Sequence, residues 1–514
     1  MKQRLRKAAP LRALTVAAVI AVIAVIAASV ASGGADGTAA TSTPALLAAS
    51  APGVEIRPLI SVGDKVGEYA FESIPDGIAV EKLAGNRANL YVNHETSLVP
   101  FPVGFSDFTN AILSKLVVDT KSQNILSGSY VIPSDANFQR FCSNFLATKE
   151  HGFGRPVVLT SEEATDRVNR TGTAFPARPG SEQAGVVVAY DVKNDRYKAV
   201  YSMGRHNHEN AVAIPGYKVS VILSGDDTFS APASQLYMYL THGATGVMND
   251  SGALYGFKSD DPTVNDYGDL SGSKSVSGTF IRVPVSIALG EQDGLERWSN
   301  ENGIFQFIRV EDLAYDRNSP NIVYFADTGE PRALPDATTT RLRRGPSGTR
   351  GPYPNGRIFK LVLDKKNMLR VTSLSILIDG DAKGAASAGD ISLIHNPDNV
   401  ETTKKALLFQ EDPGSQNQYA ASNPDGTNAR TWRYDLKTGR LDVVATANQA
   451  ALDTTSPKGQ WEGSGLVDAS AVFGQGWFYT AVQAHTVLVQ QEKRDGVTYK
   501  REAGQLLLVK IPGT

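Results

Sequence analysis

The chain of 514 residues holds one cysteine, Cys142. A single cysteine excludes an internal disulfide framework of the kind that staples small secreted domains. Charge of one sign is lacking as well. The formal net charge is −2, with 20% charged and 41% hydrophobic residues. That composition excludes both the basic footprint of a nucleic-acid binder and the polar bias of a disordered chain. Three local signatures are missing: G-x-x-x-x-G-K-[ST], G-x-S-x-G and H-E-x-x-H. Their absence removes the phosphate-cradling loop, the nucleophile elbow and the zincin helix as routes to activity. No strong amphipathic helix and no coiled-coil heptads stand out.

The one long hydrophobic run lies at the N-terminus. Lys2, Arg4, Arg6, Lys7 and Arg12 precede an Ala/Val/Ile stretch from Leu14 to Val30, and Ser29-Val30-Ala31 offers small residues for cleavage. This pattern predicts a signal peptide or signal anchor over residues 1–31, with membrane contact only through residues 14–31 if uncleaved. Residues 32–53, rich in Ala, Ser, Thr and Gly, read as a flexible spacer. Either route exports residues 54–514, as a secreted body or one anchored by the N-terminal helix.

Within that body one unit repeats. A polar group opens an apolar strand, a turn follows, and a second apolar strand ends in acids. Its copies run from Asp76 to Glu95, from Cys142 to Glu162 and Glu163, and from Glu209 to Asp226 and Asp227. Three more run from Glu311 to Asp327, from Asp398 to Glu411 and Asp412, and from Glu462 to His485. Amphipathic hairpins turn at Lys193-Asn194-Asp195, Asp364-Lys365-Lys366-Asn367 and Lys437-Thr438-Gly439. Repeated pairs of strands predict an all-β fold, a six-bladed β-propeller with loop insertions, as one domain over 54–514. The insertions are residues 164–183, 241–303 (with a strand-like part from Gly278 to Ile287) and 331–356. The last carries Arg341, Arg343, Arg344 and Arg350, which read as a solvated loop, with steering of an anionic substrate as the alternative.

Closing six copies into a ring brings Asp76, Glu95, Cys142, Glu162, Glu163, Glu209, Glu311, Asp398, Glu411, Glu462 and His485 toward one mouth of the channel. So many carboxylates repel one another and resist burial unless cations join them. Carboxylate oxygens suit Ca²⁺, and a thiolate among them suits a softer or redox metal such as iron. Cys142 reads equally as a ligand or as a buried small hydrophobe. Taken singly, Pro75-Asp76-Gly77 and Pro397-Asp398-Asn399 are ordinary turn chemistry. Asp226-Asp227 and Glu411-Asp412 read as exposed strand ends, and His206 with His208 as a solvated pair.

Together, Gly204-Arg205-x-x-His208-Glu209, Asn93-His94-Glu95, Arg309-x-Glu311-Asp312, Pro397-Asp398-Asn399 and Cys142 followed by Thr160-x-Glu162-Glu163 resemble the PhoX-type alkaline phosphatases. The resemblance spans most of residues 54–514. It implies an exported, metal-dependent hydrolase of phosphate monoesters, acting as a monomer on a small phosphorylated substrate with Ca²⁺ and Fe³⁺. It implies metal ligands at Cys142, Glu209 and Glu311, with calcium ligands among Glu95, Glu162, Glu163, Asp398, Glu411 and Glu462. The catalytic set is Arg309, Glu209 and Glu311, with Arg309 on the phosphoryl group. The chain departs from the family where Leu5 separates Arg4 from Arg6, so no twin-arginine pair exists. A calcium-stabilised binding module and a propeller lactonase or esterase are the alternatives.

Overall fold

A computed structural model describes residues 41–101, 110–170, 181–228, 234–338, 341–415, 426–494 and 496–514. Contacts divide the chain into two units, Met1–Ser32 and Gly33–Thr514, and every described residue belongs to the second. The expected signal segment and residues 171–180 of the first insertion lie outside the described residues. Among the described residues no helix is long and apolar enough to cross a membrane.

The dominant local signal is the short apolar run bounded by turns. Ala211-Val212-Ala213-Ile214 is buried on both faces, as are Val157-Val158-Leu159 and Leu407-Leu408-Phe409. Such runs form strands covered on both sides. They assemble into antiparallel sheets arranged as six blades. Blade one is Pro75–Lys82, Arg87–His94, Ile112–Asp119 and Ile125–Ile132, and blade two is Phe141–Ala147, Val157–Glu162, Val187–Asp191 and Arg196–Val200. Blade three begins at His208–Ile214, blade four at Val310–Tyr315, blade five at Pro397–Thr402 and blade six at Glu462–Asp468. Each of these first strands touches the next around the ring, and the sixth touches the first. The fold is an all-β propeller.

The N-terminal segment closes it. Glu55–Ser61 pairs with Val497–Lys510 as the outer strand of blade six, and Leu47–Ala49 pairs with Leu441–Ala447 on blade five. Residues 41–53, expected as a flexible spacer, therefore carry a strand, because Leu46 and Leu47 fill a core between these two blades. The expected hairpins are outer strand pairs. Each joins the inner strands that precede it in the chain rather than those that follow. The region 241–303 holds more than an insertion. Gly252–Ser259 is the fourth strand of blade three, and Ser275–Arg282 links blades three and four. The strand-like part ends at Arg282, before a short helix at Val285–Ala288. Beyond it, helix Gln292–Glu301 buries Leu295 and Ser299 on one face, where no such helix was expected.

One irregularity recurs in every blade. The ladder between first and second strands slips between Pro75 and Ile78, Phe141 and Asn144, and His208 and Ala211. It slips likewise between Val310 and Leu313, Pro397 and Val400, and Ser464 and Val467. These are β-bulges, which bend a strand and re-aim its side chains. The bulges also link blade to blade. Asn144 Nδ2 donates to Gly77 O at 2.8 Å, Ser143 Oγ to Glu209 Oε1 at 2.8 Å, and Asn210 Nδ2 to Asp312 Oδ1. Val400 N donates to Asp312 Oδ2 at 3.1 Å, Gly465 N to Asn399 Oδ1, and Ser464 Oγ to Asp76 Oδ1. A hydrogen-bond belt thus joins all six blades at one end. Blade contact there is tight: a Cβ on Gly77 would lie 2.4 Å from Asn144 N. Apolar packing continues outward, as where Tyr91 and Leu113 of blade one meet Val158 and Tyr190 of blade two.

Buried acids anchor individual blades. Glu411 accepts from Arg430 Nε at 2.7 Å and Nη2 at 2.8 Å, from Trp432 Nε1 at 2.8 Å, and from the backbone of His395 and Arg430. Breaking a buried pair leaves an unpaired charge, at about 3–5 kcal/mol. Arg430→Met should therefore lower unfolding stability in urea by about that amount while leaving bound metal unchanged. Loss of metal without loss of stability would show Glu411 to be a ligand instead.

Candidate metal centre

The bulges decide where the polar side chains go. Asp76, Cys142, Glu209, Glu311 and Asp398 each occupy the first bulge position of their blade. All five line one cavity of about 810 Å³. Two residues upstream, Ile74, Arg140 and Asn396 adopt left-handed backbone, with φ of 50°, 39° and 49°. This is a strained conformation for a bulky side chain such as Ile74, and such residues cluster at functional sites.

In blades one, two and five the second strands obey a matching rule. The residue facing the bulge across the ladder turns into its own blade, and the next one turns to the cavity. Glu95 N bonds Ile74 O at 3.1 Å, Glu163 N bonds Arg140 O at 3.0 Å, and Asp412 N bonds Asn396 O at 2.9 Å. Glu95, Glu163 and Asp412 line the cavity, together with Glu462 and His485 of blade six. Their predecessors His94, Glu162 and Glu411 do not. His94 bonds Glu72 O and Ser114 Oγ, both at 2.9 Å. Glu162 accepts from the backbone of Gln139, Gly185 and Val186, and bidentately from Arg170 at 2.6 and 2.8 Å.

Of the acids and cysteine expected from sequence, the cavity thus unites Asp76, Glu95, Cys142, Glu163, Glu209, Glu311, Asp398 and Glu462. Glu162 and Glu411 stand outside it, their oxygens committed to backbone N–H groups and an arginine. Asp412, expected as an exposed strand end, is a buried cavity wall. Aligning the five acidic strand ends, from His94-Glu95 to Glu411-Asp412, would have exposed it, since strand side chains alternate. His206 and His208 are buried rather than solvated, with ring centroids 3.5 Å apart. His208 bonds Ser224 Oγ at 2.7 Å and Gly204 O at 3.1 Å, and burial holds its pKa down to about 4.

Three sets of donor atoms lie within 4.8 Å of one another: Cys142, Glu163 and Glu209; Glu209, Glu311 and Asp398; Asp398, Asp412 and Glu462. They share Glu209 and Asp398, so the sets form one continuous arc. Arg309 stands beside it. Its Nε and Nη2 each bond Asp227 at 2.7 Å, Nη2 lies 3.2 Å from Glu311, and Nη1 reaches Ser415 Oγ at 3.4 Å. Asp227, also expected as an exposed strand end, is fully buried and fixes this guanidinium bidentately, the pairing that sets orientation best.

Electrostatics make the arc unstable by itself. Burial pushes the carboxyls of Glu163, Glu209, Glu311, Asp398 and Glu462 well above the usual range, and each is pushed further by a neighbouring acid. Burial and Asp76 raise Glu95 to about 7. Burial, then Asp76, also raises the Cys142 thiol, which donates to Asp76 Oδ2 at 3.0 Å. Glu209 Oε2 is buried with no hydrogen-bond partner. Buried acceptors without donors are rare. An orphaned oxygen between two donor sets, among acids that cannot all ionise, fits a cation. The residues present therefore suit bound metal.

Six blades around a cavity walled by neighbouring carboxylates, with a buried arginine at its edge, define a propeller with candidate metal-ligand groups. The sequence matches the family of alkaline phosphatase PhoX over residues 135–457, and the chain belongs to that family. Among solved structures it is similar to PhoX of Pseudomonas fluorescens in complex with vanadate, a transition state analogue. The TM-score there is 0.64 at 14% identity, covering 92% of this chain and 97% of that one. A Penicillium chrysogenum α-L-arabinanase complexed with arabinobiose matches at a TM-score of 0.38 and 9% identity, over 87% of this chain and 98% of that one. No curated protein matches the sequence.

A carboxyl whose pKa rises on folding holds more protons in the folded chain between its two values. Stability then falls as pH climbs through that window, from the ordinary glutamate value up to about 7 for Glu95. Metal-free protein should lose melting temperature from pH 5 to pH 8, and added Ca²⁺ should restore more at pH 8 than at pH 5. A calcium-induced shift that is flat with pH would contradict the cation reading of the arc.

Proposed function

We propose that this protein hydrolyses phosphate monoesters in the propeller cavity with the aid of bound metal. The observation that carries the proposal is the arc of overlapping donor sets sharing Glu209 and Asp398 with Arg309 fixed at its edge. The acids could have lain on separate blade edges, as a calcium-stiffened binding module would have them. Their convergence with an arginine favours a hydrolase that handles an anionic reacting group.

Cys142, Glu163 and Glu209 would hold one ion, and the thiol in that set suits iron. The two carboxylate-only sets suit Ca²⁺. When bound, such ions supply the positive charge that stabilises attacking and leaving oxygens in phosphoryl transfer. The chain's own groups do the rest. Arg309 binds the phosphoryl oxygens, and Asp227 holds its Nε and Nη2 so that no reorganisation is needed as charge develops. Ser143 orients Glu209 through the 2.8 Å bond to Oε1, leaving Oε2 toward the arc. The inference that vanadate, a phosphoryl mimic, would sit against this arc comes from the Pseudomonas relative. The basic and hydrophobic N-terminus supports export of the body.

Glu209→Gln and Glu311→Gln should each strip metal, measured by elemental analysis, and reduce hydrolysis of a generic monoester by about 100-fold or more. Wild-type metal content in both variants would remove them as ligands. Arg309→Lys should retain metal but lower kcat by about 100–1,000-fold, the loss seen when a charge-stabilising donor is removed. An unchanged kcat would refute the role of Arg309.

A further inference from the structure

The cavity wall is not acidic throughout. It includes Arg332 and Arg344, with Pro331, Ser347 and Gly348 beside them. Both arginines lean on one acid. Glu330 is buried, at 4% exposure. It receives Arg332 Nε at 3.2 Å on Oε1 and Arg344 Nε at 3.3 Å on Oε2. Arg332 N also bonds Glu330 Oε1 at 3.0 Å. A short hairpin fixes the pair, with Ala333 opposite Arg344 and Gly345 N bonding Arg332 O at 2.7 Å. Two guanidiniums share one carboxylate, so the cluster is net positive by one charge.

Two other arginines of this segment are engaged elsewhere. Arg341 donates to Ile304 O, and Arg343 pairs with Asp336. Arg332 and Arg344 alone among them line the cavity, with side chains 28% and 35% exposed. A solvated loop has no need to bury a glutamate that holds two guanidiniums by the same Nε edge. With Nε on Glu330, neither arginine spends its terminal nitrogens on that acid, and guanidinium groups of this kind recognise carboxylate or phosphate.

We propose that Arg332 and Arg344 bind a second anionic group on the leaving-group side of the substrate. The preferred class is then phosphate monoesters whose leaving group itself carries a phosphate or a carboxylate. This rests on the phosphatase reading of the cavity. Both arginines act on binding and not on the reacting phosphoryl group.

The test compares phenyl phosphate, 4-carboxyphenyl phosphate and 1,4-phenylene bisphosphate as substrates of the metal-loaded protein, wild type against Arg332→Gln, Arg344→Gln and the double variant. The expected result is a rise in KM of about tenfold per lost arginine, equal to about 1.4 kcal/mol. It should appear for the doubly anionic substrates only, with kcat and all phenyl phosphate constants unchanged. A rise for the bisphosphate alone narrows the class to phosphate, and a rise for both keeps carboxylate within it. Equal effects on all three substrates, or none, overturn the proposal while leaving the phosphatase reading intact. No turnover of any substrate by wild-type protein overturns that reading and the proposal with it. Melting temperatures within about 2 °C of wild type exclude a folding defect as the cause.

Discussion

The belt of bulges at one end of the propeller is the feature on which the rest depends. Each blade inserts one extra residue at the start of its inner strand, and the inserted pair does two jobs. In blades one to five its first member turns an acid or Cys142 into the cavity. The belt of hydrogen bonds formed there, from Asn144 on Gly77 O round to Ser464 on Asp76, couples each blade to the next. The same bonds that close the ring therefore set the spacing of the acids. A blade displaced by an ångström would break a belt bond and separate a donor set at once. Gly77 illustrates how little slack exists, since its missing Cβ is what lets blade two approach.

That geometry stores a conflict. Carboxylates are brought together at buried positions, and burial alone pushes them toward the neutral form. Nearby acids show the alternative. Glu162 and Glu411 are as deeply buried, yet each is satisfied by an arginine and several backbone N–H groups. No such partners meet Glu209 Oε2. The contrast within one molecule separates acids satisfied within their own blade from acids whose donor atoms converge on one another. Arg309, clamped by Asp227, supplies a fixed positive charge beside the arc.

Much of this was legible in the chain. Apolar runs of strand length, punctuated by turns and recurring from Asp76 to His485, carried the propeller and most of the cavity residues. What escaped had physical causes. Leu47–Ala49 is too short and too alanine-rich to register as a strand, and only pairing with Leu441–Ala447 makes it one. Glu162 and Glu411 were expected at the cavity, and Asp412 and Asp227 at the surface, because doublets of acids do not reveal which member faces inward. A bulge shifts the alternation by one residue, and a bulge has no fixed residue signature. Arg332 and Arg344 come together through a hairpin whose strands are only three residues each.

The most direct test of the central claim is anomalous diffraction from crystals of metal-loaded protein, recorded at wavelengths that distinguish iron from calcium. The account predicts ions within coordinating distance of Cys142, Glu163 and Glu209, of Glu209, Glu311 and Asp398, and of Asp398, Asp412 and Glu462, with any iron in the first set. Fully loaded crystals with no anomalous scatterer in the arc, and Glu209 bonded only to protein, would contradict it.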